Sequence, residues 1–115
     1  MKDFEKALDL IARETKTYRE ASVNDGETLN KCLQQISATL AYLETIRADY
    51  HKEWQLTVND LIIRNGLSVS RAENEAHVKV PEMYLLRRVM DGSYEVIGAI
   101  RTNISYLKSE RNATM

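Results

Sequence analysis

The sequence predicts an all-α protein made of a short N-terminal helix and a long antiparallel helical hairpin. Three observations support this fold class. The 115-residue chain has one proline and four glycines, too few for the many turns of an all-β protein. Apolar residues recur at helical spacings of three, four and seven along most of the chain. A short polar turn around Gly66 separates the two longest apolar patterns.

The N-terminal half predicts two helices of very different length. The first covers about residues 2–19, with Phe4, Leu8, Ile11 and Tyr18 on one side. Asn24, with Glu27 three residues later, has the pattern of a capping box, so the second helix should run from about 25 to 64. Its apolar stripe has steps of three or four residues throughout: Leu29, Leu33, Ile36, Leu40, Leu43, Ile46, Tyr50, Trp54, Val58 and Leu61.

A turn over residues 65–68 should reverse the chain, because Gly66 suits a left-handed helix end. Ser68 or Ser70 restarts the helix, and Ser70 with Glu73 again fits a capping box. The third helix is predicted over about 69–111. Two long helices joined by so short a loop must lie antiparallel.

The third helix carries a seven-residue repeat, which predicts a coiled-coil-like seam. Its a positions are all apolar: Val69, Ala76, Met83, Met90, Ile97 and Ile104. Its d positions are Ala72, Lys79, Leu86, Ser93, Ile100 and Leu107. Pro81 should kink or briefly break this helix without changing its direction, because the repeat keeps its phase. Asp91-Gly92-Ser93 is a weaker breaker.

The chain should form one domain, and it has more apolar stripe than one partner helix can cover. A homo-oligomer is therefore expected, although the first helix could fold back over part of the stripe. The formal net charge of −1 argues against a basic nucleic-acid tail or an acidic disordered tail as a description of the whole chain. The sequence shows neither a signal peptide nor an apolar membrane span, so we expect a cytoplasmic protein without membrane contacts.

Catalytic constellations are scarce, so we expect no enzyme, no cofactor and no metal site. Glu73 and His77 have a metal-compatible spacing, but the surrounding sequence does not complete a ligand set. Cys32, the only cysteine, lies on the apolar stripe and has no sequence-paired base. The four glycines stand apart, and so they form no phosphate-binding loop.

A basic line with interleaved tyrosines is the main candidate for nucleic-acid binding. Its residues follow heptad position e or lie beside it: Tyr84, Arg87, Arg88, Tyr94, Arg101, Lys108 and Arg111. Such lines bind single-stranded nucleic acid, because cations follow the phosphates and aromatic rings stack on bases. The alternative is structural, since basic residues at position e also pair with a partner helix and cover the edges of a seam.

Aromatic residues of the second helix are candidates for protein contacts. Tyr50 and Trp54 lie near His51 and pack in the core in one interpretation, while they anchor a partner in the other. Tyr42 lies off the main stripe and could either contact a partner directly or shield neighbouring residues of the stripe.

The segment SVSRAENEAHVKVPEMYLLRRVMDGSYEVIGAIRTNISYLKSE, with its Arg-x-x-Ile-Ser-x-Leu-Lys ending, resembles small helical proteins of bacteriophage recombination regions. It is similar to the phage recombination-mediator family typified by UvsY, and the likeness is one of helix layout over residues 36–111. The resemblance implies an oligomer that binds single-stranded DNA while loading a recombinase. The basic residues it would carry over are Arg87, Arg88, Arg101, Lys108 and Arg111.

The sequence thus supports three hypotheses. The first is a non-enzymatic, oligomeric, phage-type binding protein accessory to recombination or replication, with single-stranded nucleic acid and a protein as partners. The second is a phage-encoded inhibitor that binds a host defence protein or host enzyme. The third is a structural or scaffolding component.

Overall fold

The computed structural model describes residues 4–113 and confirms the all-α prediction. Four helices follow one another along the chain: α1 (Phe4–Glu20), α2 (Gly26–Asn65), α3 (Val69–Lys79) and α4 (Pro81–Ala113). The predicted start of the first helix near Lys2 lies outside the described residues. The molecule is elongated, with extents of 68 × 29 × 20 Å.

Helix α2 contacts each of the other three helices, and its 40 residues give a length of about 60 Å. Its N-cap is Asp25, whose carboxylate accepts hydrogen bonds from the backbone N–H (3.1 Å) and the hydroxyl (2.7 Å) of Thr28. The prediction of Asn24 as the cap was therefore wrong by one residue. Asp25 fits the position because both of its oxygens reach Thr28. At the other end, Gly66 has the predicted left-handed backbone and closes α2.

Helices α3 and α4 return along α2 in the antiparallel direction. Leu107 lies against Gly26, Tyr94 reaches Glu44, and the ring of His77 lies 5.4 Å from that of Trp54. The side chain of Ser68 caps α3 by accepting from the N–H of Arg71. The break near Pro81 is brief: Val80 leaves the helical region and α4 begins at Pro81.

The seven-residue repeat forms a buried seam along α4. The first a position of the repeat, Val69 at the start of α3, lies outside this seam. Met83, Leu86, Met90, Ser93, Ile97 and Ile100 are all buried, so the phase is kept across the break. Ser93 is tolerated in this seam because its hydroxyl donates to the carbonyl of Val89. Val69, predicted on the seam, is 59% exposed, because α3 has only just begun there and Ala72 and Ala76 make the contact instead. Gly92 does not interrupt α4.

Helix α1 folds back and packs against both α2 and α4, which settles the alternative that the sequence left open. The buried residues of α1 are Phe4, Ala7 and Ile11. They pack with buried residues of α2 and α4 in the larger of the two hydrophobic cores that the described residues form, and we call this the main core. Phe4 contacts Tyr50 edge-on, and the hydroxyl of Tyr18 accepts a hydrogen bond from the side-chain amide of Asn103. Beyond α1, the C-terminal part of α2 and helix α3 form a two-helix arm. A separate small core of Val58, Leu61, Ala72 and Ala76 stabilises this arm.

Candidate functional site

A long open groove lies between α1 and α4. Both helices pack on α2, and the space between them has a volume of about 700 Å³. Leu8 and Ile11 line it from α1, while Leu85, Val89 and Val96 line it from α4. The groove is therefore mainly apolar. Leu85 is 45% exposed in it, a large fraction for a leucine.

Small side chains keep the groove wide. Ala12 lies on the α1 side, with Gly92 and Ser93 on the α4 side. The hydroxyl of Ser93 is turned toward the carbonyl of Val89, so it adds little polarity to the groove. A helix entering here could approach the backbone of α4 closely, because small residues permit short distances between helices.

The rim of the groove is positively charged. Lys16, Arg19 and Arg88 line it and are exposed, whereas none of the described lining residues is acidic. The ion pairs among the described residues, Arg47 with Glu44 and Arg64 with Asp60, do not involve these three cations. The rim therefore favours a ligand with carboxylates beside an apolar surface.

The basic line predicted for nucleic acid is divided by the fold. Tyr94 and Arg101 lie on the flank of α4 that meets Ser37 and Ala41 of α2. The seven-residue spacing places Arg87 and Lys108 on the same flank. We name this set of four residues the basic flank. Arg88, in contrast, lines the groove on the other side of α4.

The other predicted nucleic-acid residues occupy different positions. Tyr84 is exposed on α4, and Arg111 lines a shallow depression with Asn30 near the start of α2. The hydroxyl of Tyr94 donates to Oε1 of Glu44 at 2.9 Å. This hydrogen bond, assisted by partial burial, raises the pKa of Tyr94. Glu44 therefore places a carboxylate in the middle of the basic flank.

The predicted aromatic anchors differ in their exposure. Tyr42 is exposed on α2, whereas Tyr50 is half-buried against Phe4 and serves the core. Trp54 is half-buried between His51 and His77, with ring centroids 5.9 and 5.4 Å away. Nδ1 of His51 and Nε1 of Trp54 are buried and have no hydrogen-bond partner among the described residues. These rings join α2 to α3 and leave Tyr42 as the exposed member of the set.

The described residues offer no arrangement for metal or thiol chemistry. No group of three His, Cys, Asp or Glu side chains comes together within the part of the chain that the structure describes. Cys32 is buried in the main core, and burial raises the pKa of its thiol. A thiol in this state is a poor nucleophile, because the thiolate is the reactive form. Within residues 4–113, no helix is long and apolar enough to cross a membrane.

Sequence reasoning missed the groove, although a signal for it exists. Leu85, Val89 and Val96 form a second apolar stripe on α4 beside the heptad seam, at helical spacings. The cations Lys16 and Arg19 belong to α1, far away along the chain, so only the fold brings them to this stripe. Comparison of the chain with protein-family models, curated proteins and solved structures gives no significant match.

Proposed function

We propose that this protein is a non-enzymatic binding protein that holds an amphipathic α-helix of a partner in the groove between α1 and α4. The observation that carries the proposal is the combination of an apolar groove with a purely cationic rim. Helix-in-groove binding uses this design, in which apolar anchors at helical spacing enter the groove and polar residues meet its edges.

Helix packing explains why a helix suits the site. Three helices around one core leave the outer sides of α1 and α4 partly uncovered, and a fourth helix would cover both at an interaxial distance of about 8–10 Å. Burying Leu8, Leu85, Val89 and Val96 would supply the apolar gain. Carboxylates flanking the partner's apolar face would meet Lys16, Arg19 and Arg88.

The test is fluorescence anisotropy with a designed, fluorescein-labelled helical peptide of about 18 residues, long enough to hold a helix. The peptide carries leucines on one face and glutamates on both flanks, and a matched peptide carries lysines in place of the glutamates. We expect saturable binding of the glutamate peptide and at least about tenfold weaker binding of the lysine peptide.

Two protein variants localise the binding. Leu85→Glu places a like-charged carboxylate in the groove and should abolish binding, because it opposes both the apolar and the charged contacts. Tyr106→Glu, at an exposed position of α4 outside the groove and far from Arg88, should bind as the unchanged protein does. Failure of the glutamate peptide to bind at about 100 μM protein that sedimentation shows to be monomeric would overturn the proposed function.

A second candidate function is single-stranded nucleic-acid binding, favoured by the alignment of Arg87, Arg101 and Lys108 on the basic flank. Exposed Tyr84 could add stacking, while Tyr94 would have to release Glu44 before it could do the same. The same anisotropy titration with a labelled oligothymidylate tests this function. Binding that weakens as salt rises and is lost in Arg101→Glu would support it. An unchanged anisotropy at low salt would exclude it.

A further inference from the structure

The outer side of α2 carries apolar side chains that no other helix covers. Tyr42, Leu56 and Ile63 follow one another with Asp49 at intervals of seven residues, so the four positions share one side of the helix. Leu56 is 61% exposed and Ile63 is 80% exposed. We name these four residues the outer stripe. Exposed apolar residues in a row on a helix are typical of an interaction surface rather than of an inert one.

Carboxylates line one edge of the outer stripe. Glu53 and Asp60, seven residues apart, lie on this edge, and Asp49 lies within the stripe itself. Asp60 also pairs with Arg64 at 3.0 Å, but both side chains are mostly exposed and such a pair exchanges partners at little cost. Lys52 falls on the opposite edge. The edge of the outer stripe with Glu53 and Asp60 thus matches the partner chemistry that the groove favours, namely an apolar helix face with acidic residues beside it, whereas the other edge carries the cation Lys52.

We infer that the helix held in the groove is α2 of a second copy of this chain, inserted through Leu56 and Ile63. This inference rests on the proposed function, since it uses the same groove. The acidic edge of the outer stripe faces Lys16 and Arg19 on the α1 side of the neighbouring groove. The matching charges decide this orientation.

The lengths of the two surfaces are compatible. The groove extends along α4 from Leu85 to Val96, about 16 Å at the rise of an α-helix. Leu56 and Ile63 are two turns apart, about 10 Å, so both side chains fit within the groove at once. The helix beyond them can continue past either end, because the groove is open.

The two surfaces lie on opposite sides of the molecule, which determines the kind of assembly. Because α2 packs against both α1 and α4, its outer side points away from the groove between them. Contact between the groove of one copy and the outer stripe of the next is therefore heterologous, and it propagates into a ring or an open chain. A symmetric groove-to-groove dimer is disfavoured, because it would bring two sets of Lys16, Arg19 and Arg88 together.

The first experiment is sedimentation velocity of the full chain over about a hundredfold range of concentration, since mass action should shift a reversible assembly. We expect species larger than a dimer at the upper end of the range. Ile63→Lys and Leu85→Glu should each reduce the protein to a monomer. The matched substitutions Val78→Lys, at an equally exposed aliphatic residue of α3, and Tyr106→Glu should leave the assembly unchanged.

The decisive experiment mixes the two defective variants. Ile63→Lys retains an intact groove and Leu85→Glu retains an intact outer stripe, so one complementary interface survives between them. A mixture should form a 1:1 dimer and nothing larger. Formation of no complex from properly folded variants, checked by circular dichroism, would overturn the inference, and so would larger assemblies.

The outcomes separate this inference from the proposed function. A wild-type protein that stays monomeric throughout the concentration range overturns self-docking. The Ile63→Lys variant, whose groove is intact, then shows whether the glutamate peptide still binds. Binding in that case retains the helix-binding function and assigns the groove to a different protein. An assembly that survives Leu85→Glu overturns the inference, because the copies would then meet through another surface.

Discussion

Asp25 shows how one side chain determines where the longest helix begins. Its carboxylate accepts from both the backbone N–H and the hydroxyl of Thr28, and these hydrogen bonds lower the pKa of Asp25 below its ordinary value of 3.8. Asn24 has the right chemistry for a cap but is one residue too early. A capping side chain acts on N–H groups two or three residues ahead, so the register matters as much as the residue type.

We predict that Asp25→Ala lowers the urea midpoint of unfolding at pH 7, because the substitution leaves the backbone N–H of Thr28 without its capping partner. The folded protein holds the Asp25 carboxylate in its charged form, so its contribution is present above the ordinary pKa of 3.8 and disappears as the pH falls through the lowered value. The difference from the unchanged protein should therefore shrink at about pH 3. Circular dichroism at both pH values measures it.

Asn24→Ala is the control for this prediction. It alters a side chain of similar size, one residue away, that does not cap α2. Its urea midpoint should stay close to that of the unchanged protein at both pH values. Equal losses for the two variants at pH 7 would show that Asp25 is not the cap that matters.

At the scale of elements, the two chain interruptions have different consequences. Gly66 reverses the chain, because its left-handed φ of 67° ends α2 and lets Ser68 start α3 in the opposite direction. Pro81 interrupts the helix formed by α3 and α4 only at Val80. The side chain of Val80 is buried in the core at this break. The heptad pattern continues across the break because Pro81 is well suited to the first position of α4.

We predict opposite effects for two glycine-to-alanine substitutions. Gly66→Ala should destabilise the protein by about 1 kcal/mol, because a Cβ is strained in the left-handed region. Gly98→Ala should stabilise it by about 0.5–1 kcal/mol, since Gly98 lies in the interior of a helix with open space around a new methyl group. Urea denaturation gives both values. The same sign for both variants would contradict the description of these helix positions.

At the scale of the whole molecule, α1 converts a two-helix hairpin into a three-helix body with an open side. It covers the stripe of α2 around Cys32 and Leu43 and stops near Tyr50, where the two-helix arm begins. The side of α4 facing α1 remains only partly covered, and this side becomes the groove. Where α1 lies therefore determines both the stability of the body and the surface that remains for a partner.

We predict that Ile11→Ala lowers the free energy of unfolding by about 2–5 kcal/mol, because it removes a buried side chain from the core beneath α1. Leu10→Ala removes a half-buried side chain of the same size from the same helix and should cost clearly less. Chemical denaturation monitored by the fluorescence of Trp54, the only tryptophan, measures both. Equal costs would mean that α1 does not dock as described.

Local sequence determined most of the helical architecture. The all-α class, the long second helix, the left-handed end at Gly66 and the brief break at Pro81 follow from periodicity and from backbone chemistry within a few residues. The errors were also local, since Asp25 replaces Asn24 as the cap and Val69 lies outside the seam. The first depends on one residue of register and the second on where α3 begins, and a repeating pattern specifies neither.

The candidate site was decided by the tertiary structure. An apolar stripe says that a helix face must be covered, but it does not say by which helix or how completely. The docking of α1 on α2 and α4 placed Lys16 and Arg19 along the same groove as Leu85, while the outer stripe of α2 stays exposed. Helical periodicity itself separates Arg88 from Arg101 on α4, and the tertiary structure decides which surface each of them meets. Periodicity is a property of single helices, whereas a groove depends on the distance and rotation between helices that are far apart in the chain.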